Sequence, residues 1–153
     1  MMNQWMKIAI DEAQIGICQK HGGPFGAAIV QDGILVASAH NEVLKTSDPT
    51  AHAEITAIRK ATKILQTPHL SKCHLYTTCE PCPMCWGAIY WSRIKTIFYG
   101  ASNTDAGRVG FIDDKLHKLF NVSPTELTIT QIEHGPCNAL FEKWASQDSV
   151  TLY

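Results

Sequence analysis

Two short stretches of the sequence hold side chains that zinc prefers as ligands. His52 lies in the run H-A-E, and Cys82 and Cys85 lie in the run P-C-P-M-C. A structural zinc site is closed by four protein ligands, whereas a catalytic site has three and keeps one position for water. Glu54 stands two residues after His52, where a carboxylate can act as a general base. The pattern predicts one catalytic Zn²⁺ per chain, with a water as its fourth ligand.

Cys79 leaves a second interpretation of this region open. Cys79 and Cys82 form another C-x-x-C pair, and with Cys79 as a fourth ligand the site would be closed and structural. We expect Cys79 instead to be a small buried residue, because a closed site would leave Glu54 without a role. We expect the same of Cys18, Cys73 and Cys137. A cysteine cluster that binds metal is typical of a reducing compartment, which predicts a cytoplasmic location.

The residues around each stretch predict a helix that begins at the candidate ligands. Thr50 is a suitable N-cap for a helix with His52 and Glu54 in its first turn. Pro83 suits the first position of a second helix, which carries Cys85. A helix N-terminus favours negative charge and lowers the pKa of a thiol. We therefore expect two helix starts to face each other across one zinc ion.

Apolar periodicity and turn residues predict the remaining elements. Residues from about Trp5 to Gln19 have the spacing of an amphipathic helix, and Asp32-Gly33 joins the two strands of a hairpin. The later expectations are strands at Cys73–Thr77, Thr96–Tyr99 and Leu127–Ile132, a loop at Gly100–Ile112, a helix at Asp114–Phe120 with Leu116, Leu119 and Phe120 packed inward, and a last helix from Pro136. Alternating strands and helices predict a three-layer α/β architecture, with residues 1–153 as a single domain.

Composition and charge restrict the classes of function. The chain has 153 residues, of which 45% are hydrophobic and 18% are charged, as is ordinary for a globular protein. A net charge of -1 and a pI near 6.6 lack the basic surplus that is typical of nucleic-acid binding. No apolar run approaches the roughly 20 residues of a membrane span. We therefore expect neither nucleic acid nor a membrane as a partner.

Five stretches carry a resemblance to a known family. The pattern H-x-E followed by P-C-x-x-C is typical of zinc-dependent deaminases. Over nearly its whole length the chain resembles bacterial guanine deaminases of the cytidine/deoxycytidylate deaminase superfamily. The resemblance implies a three-layer α/β/α cytidine-deaminase-like fold with a five-stranded mixed sheet. Its motifs are GGPFGAAIV, DPTAHAEITAIRKA, LYTTCEPCPMCWGAIYWSR, GFIDD and the terminal tyrosine.

The resemblance also implies an activity and a set of roles. The activity is hydrolytic deamination of guanine to xanthine and ammonia, with Glu54 as the residue that shuttles the proton. A homodimer is implied, in which the C-terminal segment 147–153 crosses to the neighbour and closes the neighbour's site. The substrate contacts that the resemblance implies are Phe25, Asn41, Ala53, Trp91, Asp113 and Tyr153. GFIDD has one residue more than the GFDD of the family, so Asp113 or Asp114 can take the substrate-facing position.

Three other functions are compatible with the same zinc ligands. The DPTAHAE and EPCPMC blocks also occur in tRNA adenosine deaminases, so they identify the chemistry and leave the substrate open. A deaminase of another small base, nucleoside or aminotriazine would use the same site. A structural zinc module that binds a partner is the third alternative. Acidic residues outnumber basic ones in the C-terminal half, which disfavours the tRNA substrate because phosphates require basic side chains.

Overall fold

A mixed five-stranded sheet forms the centre of the computed structural model, which describes residues 1–121 and 126–153. The strand order is β2-β1-β3-β4-β5. The strands are β1 (Gly26–Gln31), β2 (Ile34–His40), β3 (Cys73–Cys79), β4 (Thr96–Ala101) and β5 (Thr128–Gln131). Strand β1 pairs antiparallel with β2 and β3, whereas β3, β4 and β5 are parallel. The mixed sheet is therefore confirmed.

Helices cover both faces of the sheet and complete three layers. Helices α1 (Gln4–Cys18) and α7 (His134–Ala145) pack on one face, while α3 (Ala53–Leu65) and α4 (Pro83–Ser92) pack on the other. Three short helices join these elements: α2 (Val43–Thr46), α5 (Asn103–Arg108) and α6 (Asp114–Phe120). Within the described residues, no helix is both long enough and apolar enough to cross a bilayer.

The side chains of the central strands alternate between the two apolar layers. Ala28 and Tyr76 face the layer of α1 and α7, whereas Ile29 and Leu75 face the layer of α3 and α4. This alternation follows from the two-residue period of a strand. Because both faces are covered, β1 and β3 are buried almost throughout.

The predicted hairpin and first helix are confirmed. Asp32 and Gly33 join β1 to β2 with φ angles of 50° and 72°, the left-handed conformation that a two-residue hairpin turn favours. Helix α1 then packs closely on β1, since a Cβ at Gly26 would lie 1.9 Å from the carbonyl oxygen of Ala9. Glycine at this position allows the close approach of helix and strand.

The loop predicted at Gly100–Ile112 is wrong in part, because it contains helix α5. A capping box begins the helix: the Ser102 hydroxyl accepts a bond from the Asp105 N–H, and the Asp105 carboxylate accepts one from the Ser102 N–H. Three glycines in the stretch Gly100–Ile112, one of them within α5, disfavour a helix by propensity. The capping contacts and the buried Ala106 outweigh that preference.

Two predicted details of the helices are also wrong. Helix α6 has the predicted bounds, but it buries no residue, and Leu119 and Phe120 are 77% and 62% exposed. The N-cap of α3 is His52 and not Thr50. The Thr50 hydroxyl instead donates to the Asp48 carboxylate over 2.7 Å, so it does not cap α3, and His52 is the residue before the first helical turn.

Asp105 links α5 to α7, so its replacement tests how this part of the fold is held. Its carboxylate accepts bonds from the Ser102 hydroxyl, the Arg108 guanidinium and the His134 ring. The Ser102 hydroxyl is the main cause that lowers the pKa of Asp105 to about 2. We expect Asp105→Asn to lower the free energy of unfolding by about 1–3 kcal/mol at pH 7, measured by urea denaturation.

The control for this experiment is Arg108→Ala, which removes one exposed ion pair and should cost less than about 1 kcal/mol. Because the folded-state pKa is depressed, the stabilisation from Asp105 is present above about pH 4 and is lost as the pH falls towards 2. Equal stability of the Asp105 and Arg108 variants at pH 7 would contradict the role of the carboxylate.

Candidate active site

The first residues of α3 and α4 bring the candidate zinc ligands together. His52 is the N-cap of α3, Cys82 is the N-cap of α4, and Cys85 is the third residue of α4. Neither N-cap residue makes a side-chain capping hydrogen bond. Both are therefore free to turn towards each other, and the two helix N-termini point at one cluster, as predicted.

The distances within this cluster match those of a zinc site. His52 Nδ1 lies 3.6 Å from Cys82 Sγ and 3.6 Å from Cys85 Sγ. A tetrahedral ion with usual bond lengths to nitrogen and sulfur would place these atoms about 3.6 Å apart. The donor set of one imidazole and two thiols thus fits Zn²⁺ in chemistry and in spacing. Cys79 lies outside this group.

A second cluster of potential metal ligands has a different geometry. It consists of His21, His40 and Glu42. His21 Nδ1 lies 2.8 Å from His40 Nε2, and His40 Nδ1 lies 2.8 Å from the Glu12 carboxylate. Two nitrogens on one tetrahedral zinc would lie about 3.3 Å apart, so 2.8 Å indicates a hydrogen bond. This network connects the end of β2 to the chain that precedes Gly22.

The electrostatics of the site separate its cysteines. A hydrogen bond with Cys85, together with the His52 ring, lowers the pKa of Cys82 to about 4. The hydrogen bond with Cys82 raises the pKa of Cys85 well above its usual range, and burial does the same for Cys79. The Sγ of Cys79 lies 3.6 Å from the carbonyl oxygen of Ser102. Its burial and its position outside the metal-binding group agree with the expectation that Cys79 is a buried residue and not a ligand.

Glu54 lies beside the metal-binding group in the first turn of α3. It is 6% exposed, and burial raises the pKa of its carboxyl. Its Oε2 lies 3.5 Å from Cys85 Sγ, and its Oε1 accepts a hydrogen bond from the Thr77 hydroxyl over 3.0 Å. A buried carboxyl with a raised pKa is suited to taking and releasing a proton near neutral pH.

A cavity of about 280 Å³ opens next to this cluster. Aromatic rings form part of its wall, because Phe25 packs edge-on against Phe111 at 4.9 Å, and Phe111 packs against Tyr153 at 5.7 Å. Most of the residues that the sequence predicts for the site line this cavity, namely Phe25, His52, Glu54, Cys82, Asp113 and Tyr153.

Three predicted substrate contacts do not line the cavity of this chain. Asn41 and Ala53 are 1% and 0% exposed. Trp91 is 78% exposed and lies in another cleft, beside Ile58 and Arg59 on the outer side of α3 and α4. Within one chain, the structure therefore does not bring Trp91 to the site.

Tyr153 lies in the cavity of its own chain. Its hydroxyl accepts a hydrogen bond from the Gly23 N–H over 3.0 Å and is also hydrogen-bonded to the Asn41 side chain. Burial raises the pKa of this phenol. A Cβ at Gly22 would lie 2.1 Å from Asn41 Oδ1, and one at Gly23 would lie 2.8 Å from the Tyr153 hydroxyl. The paired glycines thus allow Asn41 and the tail to approach the loop.

The first 101 residues identify the family. Residues 1–101 match the family described as the cytidine and deoxycytidylate deaminase zinc-binding region. The chain belongs to this deaminase family. The matched part runs from α1 through β4 and includes His52, Glu54, Cys82 and Cys85.

Guanine deaminases and tRNA-specific adenosine deaminases are among the relatives of this chain. Guanine deaminase of Bacillus subtilis (strain 168) is 51% identical over 125 residues, which cover 82% of this chain and 80% of the relative. The crystal structure of a Bacillus subtilis guanine deaminase has a TM-score of 0.75 and 45% identity, and the match covers 99% of both chains. The tRNA-specific adenosine deaminase of Aquifex aeolicus (strain VF5) is 42% identical over 105 residues, which cover 69% of both chains.

This deaminase also has cavity residues that the sequence did not reveal. Glu80, Asn103 and Phe111 line the cavity. Glu80 accepts a bond from the Asn103 N–H, and the His117 ring contacts both the Asn103 amide and the Asp113 carboxylate, the latter over 3.0 Å. Glu80 and Phe111 lie inside the EPCPMC and GFIDD motifs, which could have identified them. Asn103 lies in none of these motifs, and it belongs to α5, where the sequence predicted a loop.

The zinc shell of this deaminase can be tested by cysteine replacement. We expect Cys82→Ala and Cys85→Ala to lose most bound zinc, because each removes one of three protein ligands. Cys79→Ser should keep about one zinc per chain by the same ligand count. Metal content would be measured by mass spectrometry on protein purified without added zinc.

The matched control for the metal measurement is Cys73→Ser, a buried cysteine on the same strand as Cys79. Full zinc in the Cys85 variant, or loss of zinc in the Cys79 variant alone, would mean that the ligands are assigned wrongly.

Proposed function

We propose that this hydrolytic deaminase converts guanine to xanthine and ammonia. The observation that carries the proposal is the position of Glu54, which lies beside a group suited to zinc and lines a cavity with aromatic walls. The guanine deaminase relative, at 51% identity, supports guanine as the substrate. The reaction adds one water to the ring and releases one ammonia.

His52, Cys82 and Cys85 would hold one Zn²⁺ and leave one position for water. When bound, zinc supplies a water that ionises near neutral pH. The N-termini of α3 and α4 both point at this group, and their positive ends stabilise the negative charge of the thiolates. The low pKa of Cys82, about 4, keeps this thiol ready to bind metal at neutral pH.

Glu54 moves the proton in this reaction. Its Oε2 takes one proton from the water whose oxygen bonds to carbon 2 of guanine, and delivers it to the ring nitrogen. Oε2 then takes the second proton from the new hydroxyl and delivers it to the amine, so that the C–N bond breaks and a carbonyl forms. The leaving group departs as neutral ammonia, so the protons balance. Burial raises the pKa of Glu54, which allows the carboxyl to hold each proton between its uptake and its delivery.

The cavity provides contacts for a flat and uncharged base. Phe25 and Phe111 offer apolar walls, and the Asp113 carboxylate offers an acceptor for the N–H groups of the purine edge. Burial raises the pKa of Asp113. We propose that Asn41 bonds the purine once Tyr153 releases its amide, and that Trp91 reaches the site only from a neighbouring subunit.

The tRNA-specific alternative agrees less well with this cavity. Glu80 and Asp113 line the cavity, and among the described residues no lysine or arginine lines it. An anticodon loop carries phosphates that require basic contacts. The acidic residues of the cavity wall therefore favour a free base.

The cytoplasmic location stays a prediction.

We propose a homodimer on the basis of exposed aromatic surface. Tyr90 and Trp91 on α4 are 70% and 78% exposed and pack against each other edge-on. Phe120 at the end of α6 is also exposed, and α4 lies beside α6. Adjacent exposed aromatic residues of this size are typical of an interface with another protein.

An ammonia-release assay tests the substrate. We expect guanine to be deaminated at least about 100-fold faster, as kcat/KM, than adenine, cytosine or a tRNA anticodon stem-loop, because only guanine meets the predicted edge contacts. Glu54→Gln should keep zinc and lose at least about 100-fold in kcat, since it cannot accept a proton. Inosine formation in the stem-loop without activity on guanine would support the tRNA alternative instead.

The tail is tested by its removal. We expect deletion of Leu152 and Tyr153 to keep the fold and the zinc but to lower kcat/KM for guanine at least about tenfold, because the site then opens to water. The control is Val150→Ala, which alters an exposed position of the same tail and keeps Leu152 and Tyr153. Full activity of the truncated chain would contradict the role of the tail as a cover.

The exchange of tails in a dimer makes a further prediction. A swapped segment makes the same contacts in the partner that it makes in its own chain, so both arrangements are compatible with the contact of Tyr153 and Gly23. If tails are exchanged, refolding the truncated chain together with full-length Glu54→Gln should restore activity above both parents. Absence of restored activity would assign each tail to its own chain.

A further inference from the structure

Thr77 lies directly beneath the catalytic carboxylate and has no role in the mechanism described above. It lies on β3, on the face of the sheet that Leu75 presents to α3, and it is 1% exposed. Its hydroxyl oxygen lies 3.0 Å from Glu54 Oε1 and 3.1 Å from the carbonyl oxygen of Cys79. Both distances are near the upper end of the range for hydrogen bonds between two oxygens.

The hydroxyl has one hydrogen and two neighbouring acceptors. An ionised carboxylate is a stronger acceptor than a peptide carbonyl, so the hydrogen points to Glu54 Oε1 when that carboxyl is ionised. The carbonyl oxygen of Cys79, on the same strand, is the other acceptor within reach of this hydrogen. The bond therefore runs from a rigid strand to the first turn of the helix that carries Glu54.

This bond makes the two carboxylate oxygens different. Oε1 is engaged by Thr77, whereas Oε2 lies 3.5 Å from Cys85 Sγ, on the side of the metal-binding group. An oxygen that already accepts a hydrogen bond is the less basic of the pair, so the incoming proton goes to Oε2. Rotation of the carboxylate would break the bond to Thr77 in a buried place where water cannot replace it.

We propose that Thr77 is a positioning residue for Glu54, which fixes the plane of the carboxylate and makes Oε2 the oxygen that transfers the proton. The inference rests on the proposed deamination and adds a residue to it. Thr77 does not line the cavity, and its hydroxyl contacts Glu54 and the Cys79 carbonyl, so its loss should affect the proton-transfer steps and leave the binding of base and metal intact.

The neighbouring residue offers a matched control. Thr78 is also 1% exposed, but its hydroxyl accepts a bond from the Gly26 N–H over 3.0 Å, which is a contact between strands. Thr77→Val and Thr78→Val each remove one buried hydroxyl and keep the shape of the side chain. Thr77→Ser keeps the hydroxyl and removes only a methyl group, so it serves as the conservative variant.

We expect Thr77→Val to lower kcat for guanine by about 10–100-fold, which is the usual effect of losing a hydrogen bond to a charged group. KM should change less than about threefold and zinc should stay bound, because neither the cavity nor the metal group is altered. Thr77→Ser should recover kcat to within about threefold of the wild type. Thr78→Val should lower the unfolding temperature while its kcat stays within about threefold of the wild type.

Two results would overturn the proposal. One is a kcat within twofold of the wild type for Thr77→Val, and the other is an equal loss in the valine and serine variants, which would assign the effect to the methyl group. Inactivity of the wild type on guanine would refute the proposed substrate only. The positioning role would then be decided by a crystal structure of zinc-loaded Thr77→Val, in which the Glu54 carboxylate should be rotated; an unchanged carboxylate would refute the role.

Discussion

The structure depends on the meeting of two helix N-termini over the end of strand β3. His52 at the start of α3 must lie within reach of Cys82 and Cys85 at the start of α4, and the observed separations of 3.6 Å are those of ligands on one small ion. The sheet makes this possible because α3 and α4 pack side by side on one face. Small residues on α3, such as Ala53 and Ala57, allow that helix to approach the strands closely. A metal bound at such a junction would contribute to folding as well as to catalysis.

The same junction requires a carboxylate to be buried, which is costly unless polar groups compensate. Glu54 meets this requirement through the Thr77 hydroxyl and through its position near the start of a helix, where the helix dipole favours negative charge. Burial still raises the pKa of the carboxyl, and that is the property the proposed proton transfer needs. Stability favours a buried carboxylate whose charge is compensated, whereas the proposed proton transfer needs a raised pKa. The Thr77 hydroxyl on β3 compensates part of the charge, and the pKa of Glu54 stays raised.

The wall of the cavity opposite the zinc ligands is built differently from the core. Helix α6 buries no residue, and Asp113 at its start is held by the ring of His117. Tyr153 is held in the cavity by hydrogen bonds with the Gly23 N–H and the Asn41 side chain and by contact with Phe111. Elements with so little buried surface move most easily, because only a few contacts must break. The proposed chemistry therefore lies on the well-packed side of the cavity, and the proposed cover lies on the side with less buried surface.

The sequence by itself determined the features that depend on neighbouring residues. The helix starts at Cys82 and Pro83 and the turn at Asp32-Gly33 were predictable because their physical causes lie within a few residues, and the spacing of the ligands identified the chemistry. Tertiary structure decided the rest: it separated Trp91 from the site of its own chain, brought Tyr153 to Gly23, and placed Thr77 beneath Glu54. Helix α5 escaped prediction because its capping box is reinforced by the distant His134. These contacts join residues 23 to 130 positions apart, and they arise from how the sheet and helices pack, which no local pattern encodes.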